Sequence, residues 1–297
     1  MRVEHLTRRY GTATVVDDVS FAVGRSEVLG LLGPNGAGKT TTIEILEGLR
    51  VPTAGAVRVL GRDPRRGGRR LRNEVGVVTQ AVGTDATLTV AELVRLHASF
   101  YRPRRAAEEV IREVGLRDSA AMRVGRLSGG QRRRLDLALA LVGFPSVLFL
   151  DEPTTGLDPG ARRRTWAVIE RLRRSGLAIV LTSHYLDEVQ RLADRVVVLS
   201  RGRVVGEGPP GHLSGPTAPT ATISFRLGGP VDLPPGPWES VSRAGGILVV
   251  ETREPVEAAR ILLAWAAEAR VDLDELEIRQ PSLEEEYLRL TSHPRQP

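Results

Sequence analysis

Residues 33–40 read Gly33-Pro34-Asn35-Gly36-Ala37-Gly38-Lys39-Thr40, with Thr41 next in line. This is the G-x-x-x-x-G-K-[ST] spacing of a loop that cradles phosphates. Glycines let successive backbone N–H groups curl around an anion, and the helix that follows adds positive potential at its start. Lys39 is expected to reach the β- and γ-phosphates, and the Thr40 hydroxyl to hold Mg2+. A second group lies far downstream, where the apolar run Val147-Leu148-Phe149-Leu150 ends in Asp151 and Glu152. Asp151 suits the Mg2+ shell, and Glu152 is placed to polarise an attacking water. By itself a strand ending in two acids is often only a strand meeting solvent. With the phosphate loop upstream, the pair reads as hydrolytic.

Both groups need a sheet to carry them. Val28 to Leu32, Val75 to Thr79, Val147 to Leu150, Ala178 to Thr182 and Arg195 to Leu199 are compact apolar runs that suit central strands buried on both faces. Helical runs alternate with them, so the expectation is an α/β sheet protein. Ligands gather at the carboxyl ends of such strands, where Asp151 falls. Residues 88–125 look helical and then turn-rich. There Leu93, Leu96, His97, Phe100 and Tyr101 recur at helical spacing and read as core. Past residue 220 the pattern predicts a strand at 221–227, a Gly245-Gly246 hairpin and a strand at 247–251. A helix from Pro255, a strand near 273–278 and a short final helix complete it. That last helix opens on a capping box of Ser282 and Glu285.

Composition bounds the function. The chain has 297 residues, a net charge of +6 and no cysteine, which excludes disulfides, thiolate metal sites and cysteine nucleophiles. The longest apolar candidate, Leu137 to Leu150, is broken by Gly143 and Pro145, so no membrane span is expected. The opening MRVEHLTRRY carries no apolar signal segment, and a cytoplasmic location is the expectation. Of 42 basic residues, 41 are arginine and one, Lys39, is lysine. Lysine is a compact point charge where arginine is a wide fork, so a lone lysine marks a narrow site. Residues 221–297 hold 13 acidic and 8 basic residues, a net of −5 that leaves +11 on 1–220. The Gly- and Pro-rich run at 206–220 between them reads as a linker.

Leu127-Ser128-Gly129-Gly130-Gln131, followed by the helical run RRRLDLALAL, resembles the signature motif of the ATP-binding cassette (ABC) ATPases. The resemblance covers residues 1–215 and implies a P-loop domain with a mixed sheet core and a helical subdomain at about 85–140. A small α+β domain of accessory or regulatory role is expected at 216–297. By the same resemblance Tyr10 stacks on adenine, Gln80 touches Mg2+, Asp158 in Gly156-Leu157-Asp158 lies in a dimer-contact loop and His184 contacts the γ-phosphate. The family's geometry is a homodimer sandwiching two ATP molecules. Each nucleotide lies between the phosphate loop of one subunit and the Ser128–Gln131 segment of the other.

The runs GPNGAGKTTTIEILEGLRVPTAG, DEPTTGLDP and PSLEEEYLRLT further resemble ATP-binding subunits of ABC-2-type exporters of the daunorubicin/doxorubicin-resistance kind. That implies a separate transmembrane permease and a peripheral place on the cytoplasmic face of the membrane. One rival is a soluble ABC ATPase acting on nucleic acid in repair or translation. Its support is the arginine runs Arg65-Arg66, Arg69-Arg70, Arg132 to Arg134 and Arg162 to Arg164. A single cassette, no long coiled-coil insertion and few aromatics for stacking weigh against it. Another rival is a regulatory nucleotide-binding module, against which the Glu152 carboxylate stands.

Overall fold

A computed structural model describes residues 1–79, 85–213, 221–227 and 233–292. The chain divides into two compact units, Met1–Glu207 and Gly208–Pro297. The domain boundary expected at 215/216 lies outside the described residues.

In the first unit the chain opens with β1 (Arg2–Tyr10) and β2 (Ala13–Ala22), an antiparallel pair, and β3 (Val28–Leu32), every residue of which is buried. After the phosphate loop come α1 (Lys39–Leu46), β4 (Ala54–Arg58), α2 (Gly68–Glu74) and β5 (Val75–Val78). The stretch before the next strand is helical, with α3 (Val90–Ala98), α4 (Ala107–Glu113), two 3-10 turns and α5 (Gly129–Leu141). Then follow β6 (Val147–Asp151), α6 (Pro159–Arg174), β7 (Ala178–Thr182), α7 (Leu186–Leu192), β8 (Arg195–Ser200) and β9 (Arg203–Gly208). No helix among the described residues is long and apolar enough to cross a membrane.

Two sheets result. The larger has the order β5-β6-β7-β3-β8-β9. Its first five strands are parallel, and β9 returns from β8 through the tight Arg201-Gly202 turn. The smaller sheet, β2-β1-β4, is antiparallel. All five apolar runs expected as central strands are strands of the larger sheet, but the Val75–Thr79 run is its edge strand β5, paired on one side only, and leaves Val77 exposed. The two faces of this sheet are covered by separate apolar clusters, one around Leu135, Leu148 and Ile169 and the other around Leu31, Ile45 and Phe149. Burial on both faces is why the four interior strands β6, β7, β3 and β8 read as continuous apolar runs.

The smaller sheet was not anticipated. Basic residues alternate irregularly along β1, and its register against β2 shifts three times, so the two-residue apolar period is lost. A further expectation fails. Leu96 and Phe100 are 50% and 76% exposed: Leu96 falls off the buried Val90, Leu93, Val94 and Ala98 face of α3, and Phe100 lies past the end of that helix.

The second unit is a four-stranded antiparallel sheet of order β11-β12-β10-β13. Its strands are β10 (Ala221–Arg226), β11 (Ser240–Ala244), β12 (Ile247–Thr252) and β13 (Asp274–Arg279). Gly245 and Gly246, both at positive φ, form the two-residue turn between β11 and β12. Helix α8 (Pro255–Ala269) covers one face, closing a core of Ile223, Phe225, Leu227, Leu248, Val250, Ala258 and Leu262. Helix α9 (Leu283–Ser292) follows, and its capping box is formed. Ser282 N–H donates to Glu285 at 2.8 Å, and Glu285 N–H donates to the Ser282 hydroxyl at 3.2 Å.

Candidate functional site

The phosphate loop links β3 to α1. Gly33, Gly36 and Gly38 all take positive φ, at 152°, 79° and 98°. Gly38 has a second constraint, since a Cβ there would lie 2.6 Å from the Val15 carbonyl oxygen. That approach binds the loop's last glycine to the backbone of β2 and leaves room for no side chain. Lys39 opens α1 and folds back over the loop. Its Nζ donates to Gly33 O at 2.6 Å and Pro34 O at 3.1 Å. Burial lowers its pKa, opposed by the charges of Glu152 and Asp151. The ammonium is therefore in the field of both acids. Thr40 and Thr41 follow in the first turn, and Ala37 is buried under the loop.

Asp151 ends β6, with β7 between it and β3. At ordinary strand spacing this sets the acid about 10 Å from the strand that feeds the phosphate loop. Asp151 Oδ1 accepts from the Thr182 hydroxyl at the facing end of β7. Glu152 turns away from the strand at φ 49°, in the left-handed region. Its N–H donates to Thr182 O at 3.0 Å. Its carboxylate accepts from the Thr155 hydroxyl at 3.1 Å and lies 3.4 Å from His184 Nδ1. The structure thus brings Lys39, Asp151, Glu152 and His184 together at one edge of the sheet.

Below this edge lies a buried polar layer. Glu188 is fully buried and accepts from Thr154 Oγ1 and Trp166 Nε1, each at 2.8 Å. Burial raises its pKa against those hydrogen bonds. The carboxylate fastens the loop after Glu152 to the helix after His184. Arg133, 9% exposed, donates to four backbone carbonyls at the ends of β5 and β6. Sequence reasoning counted Arg133 only as a nucleic-acid contact and passed over Glu188. The available signal was an Arg133–Asp136 pair, three apart, where three adjacent arginines run into the apolar stretch of α5.

The Ser128–Gln131 segment is the start of α5. Gln131 N–H donates to the Ser128 hydroxyl at 3.3 Å, and Ser128 N–H donates to Gln131 Oε1 at 2.9 Å. Gln131 Nε2 further donates to the Ser119 hydroxyl at 3.0 Å. Gly130 is buried where a Cβ would meet Ala161 Cβ at 2.6 Å, so α5 and α6 pack through a glycine, and Gly129 faces Leu157. Asp158 caps α6, accepting from Ala161 N–H at 2.8 Å. Tyr10 ends β1, and the Arg8 guanidinium stacks 4.4 Å from its ring centre. Gln80 lies outside the described residues.

A phosphate loop at the end of a buried parallel strand, with an Asp-Glu pair ending the strand two places over, defines a P-loop ATPase. The ABC transporter family model matches residues 16–155. A model for the C-terminal domain of ABC transporter domain-containing-like proteins matches 221–282. The daunorubicin resistance ATP-binding protein DrrA3 of Streptomyces coeruleorubidus is 35% identical over 99% of this chain and 96% of its own length. The Nod factor export ATP-binding protein I of Rhizobium sp. (strain N33) is 40% identical over 96% of this chain and 94% of its own. A dimeric bacterial ABC transporter cassette matches in structure with a TM-score of 0.62 at 25% identity, over 70% of this chain and 97% of that one. The chain belongs to the ABC transporter family, as an ATP-hydrolysing, ATP-binding subunit.

Proposed function

We propose that two copies of this chain pair head to tail around two ATP molecules and drive export through a separate transmembrane permease. The observation that carries this reading is the convergence of Lys39, Asp151, Glu152 and His184 on one sheet edge. The names of the exporter relatives and the dimeric cassette support it.

In this reading the backbone N–H groups of Gly33 to Thr41 and the Lys39 ammonium hold the β- and γ-phosphates, and the Tyr10 ring takes the adenine. Glu152 accepts the proton of the attacking water, while His184 steadies that carboxylate and faces the γ-phosphate. The Thr40 hydroxyl and Asp151 carboxylate are hard oxygen donors of the kind Mg2+ takes alongside waters and phosphates, with Gln80 a further contact. When bound, the ion would offset charge on the phosphate oxygens. Ser128, Gly129, Gly130 and Gln131 meet the γ-phosphate from the opposite subunit, and Asp158 lies at the dimer contact. Hydrolysis removes those contacts and loosens the pair, which turns phosphate chemistry into motion.

The chain then works on the cytoplasmic face of the membrane, where the +11 on residues 1–220 suits anionic headgroups. Nucleic acid is outside the reading. Arg65 pairs with Asp63, Arg70 with Glu74 and Arg162 with Asp187, and Arg133 and Arg134 are buried. Residues 216–297 act as an accessory or regulatory domain.

The deciding experiment is Glu152→Gln. ATP turnover should fall by about 10²- to 10⁴-fold while ATP binding survives and dimers accumulate with ATP and Mg2+. Unchanged hydrolysis would remove Glu152 from the catalytic role.

A further inference from the structure

We propose that Arg133 is the positioning residue that aims Glu152, tying the helix that begins at Ser128 to the catalytic edge of the sheet. The inference rests on the reading of Glu152 as the base.

Arg133 lies in α5, two residues past Gln131. Its guanidinium is spread over four carbonyl oxygens. Nε donates to Pro153 O at 2.8 Å and Nη1 to Thr79 O at 2.6 Å. Nη2 donates to Asp151 O at 2.7 Å and to Glu152 O at 3.0 Å. Three of the four acceptors are consecutive, so the fork clasps the backbone on both sides of Glu152. Its carboxylate neighbour, Asp136, is 3.7 Å away and is itself pushed up to about 6 by burial. A buried guanidinium ordinarily faces a carboxylate at hydrogen-bond distance. Here the close contacts are all backbone.

That arrangement matters because of how Glu152 is held. A non-glycine residue in the left-handed region is costly and persists only where its surroundings fix it. For Glu152 the fixing contacts fall on the peptide groups on both of its sides. Its N–H is held by Thr182, and its carbonyl accepts from Arg133 at 3.0 Å and, at the longer 3.4 Å, from the Thr155 N–H. With both peptide planes set, the side chain leaves the backbone toward Thr155 and His184. Loosening the carbonyl lets the 152–153 peptide rotate, and the carboxylate loses its aim while keeping its charge. The phosphate loop takes no hydrogen bond from Arg133, so ATP binding is spared. The fourth carbonyl, Thr79, comes from the end of β5, so a shift of α5 pulls on two strand ends at once.

A bland strut between helix and sheet would also use these bonds, so the test must separate the two. Arg133→Lys keeps the charge and stem but gives up the planar fork that bridges four acceptors. ATP turnover by the full chain should lose at least about tenfold in kcat, with KM and ATP affinity within about twofold. In a Glu152→Gln background, the same change should leave the residual single-turnover rate within about twofold, because the group being aimed is gone. Arg133→Gln is the second variant, with the same pattern expected, and melting midpoints keep folding losses apart. Folded Lys and Gln variants with wild-type kcat would overturn the proposal. So would equal losses in both backgrounds. Undiminished hydrolysis by Glu152→Gln alone would overturn the catalytic reading beneath it instead.

Discussion

Residues 1–207 and 208–297 each lay helices on a sheet, yet they bury different things. In the first unit Arg133, Asp136, Thr182 and Glu188 are buried polar side chains gathered under the carboxyl ends of parallel strands. In the second, helix α8 covers one sheet face, and edge strands β11 and β13 are exposed at every residue. Its buried carboxylate, Glu286, accepts the Leu213 N–H and ties down a chain segment. A sheet covered on both faces provides a dry floor, where hydrogen bonds are strong and can aim a reacting group. A sheet with one helical cover holds a fold but offers no such floor. Chemistry concentrates in the first unit for that reason, although both units contain abundant charge.

Three changes would break or sharpen this contrast. The largest effect is expected from Phe225→Ala, which empties the core of the second unit at a cost of about 3–5 kcal/mol. An earlier thermal transition should appear while ATP affinity stays at the wild-type level. A matched loss of ATP affinity would show that the units do not fold separately.

Glu47 offers a test on the other side. Its carboxyl is pushed up to about 7, chiefly by burial and then by the charges of Asp151 and Glu44. A folded pKa above the unfolded one means that the folded chain holds the proton more tightly. That stabilisation is complete below the ordinary carboxylate range and is lost as pH rises through about 7. Melting curves of Glu47→Gln should therefore gain on wild type as pH climbs, and the gain should vanish in acid. Parallel curves would show that the Glu47 proton is not linked to folding.

The smallest effect is expected from Ser282→Ala. Loss of the α9 cap should cost about 1 kcal/mol, seen as a small fall in melting temperature with ATP turnover unchanged. A fall in turnover would give this helix a part in the motor.

Legibility in the sequence followed locality. The phosphate loop, the five apolar strands of the larger sheet, the Gly245-Gly246 hairpin and the Ser282 cap are contiguous signals, set by residues within a few positions of one another. Arg133 is the opposite case. In the sequence it is one of three adjacent arginines and looks solvated. Its burial depends on carbonyls 18 to 54 residues away, which only the assembled sheet supplies. Glu188 likewise depends on Thr154 and Trp166. The β1–β2 layer escaped for a different reason, since its register shifts erase the alternation that would reveal a strand.

That overlooked layer sets a dimension of the site. The Val15 carbonyl that limits Gly38 is equally close to Gly202, where a Cβ would lie 2.7 Å from the same oxygen, and Asp17 N–H donates to Gly202 O at 2.8 Å. One short piece of β2 is thus a spacer, touching the phosphate loop on one side and the β8–β9 turn on the other. It has no reactive group, yet its thickness is a tolerance for the whole cradle. A change at Val15 or Val16 that is mild by every chemical measure alters a clearance, and it is at the nucleotide, not at the strand, that the misfit would be felt.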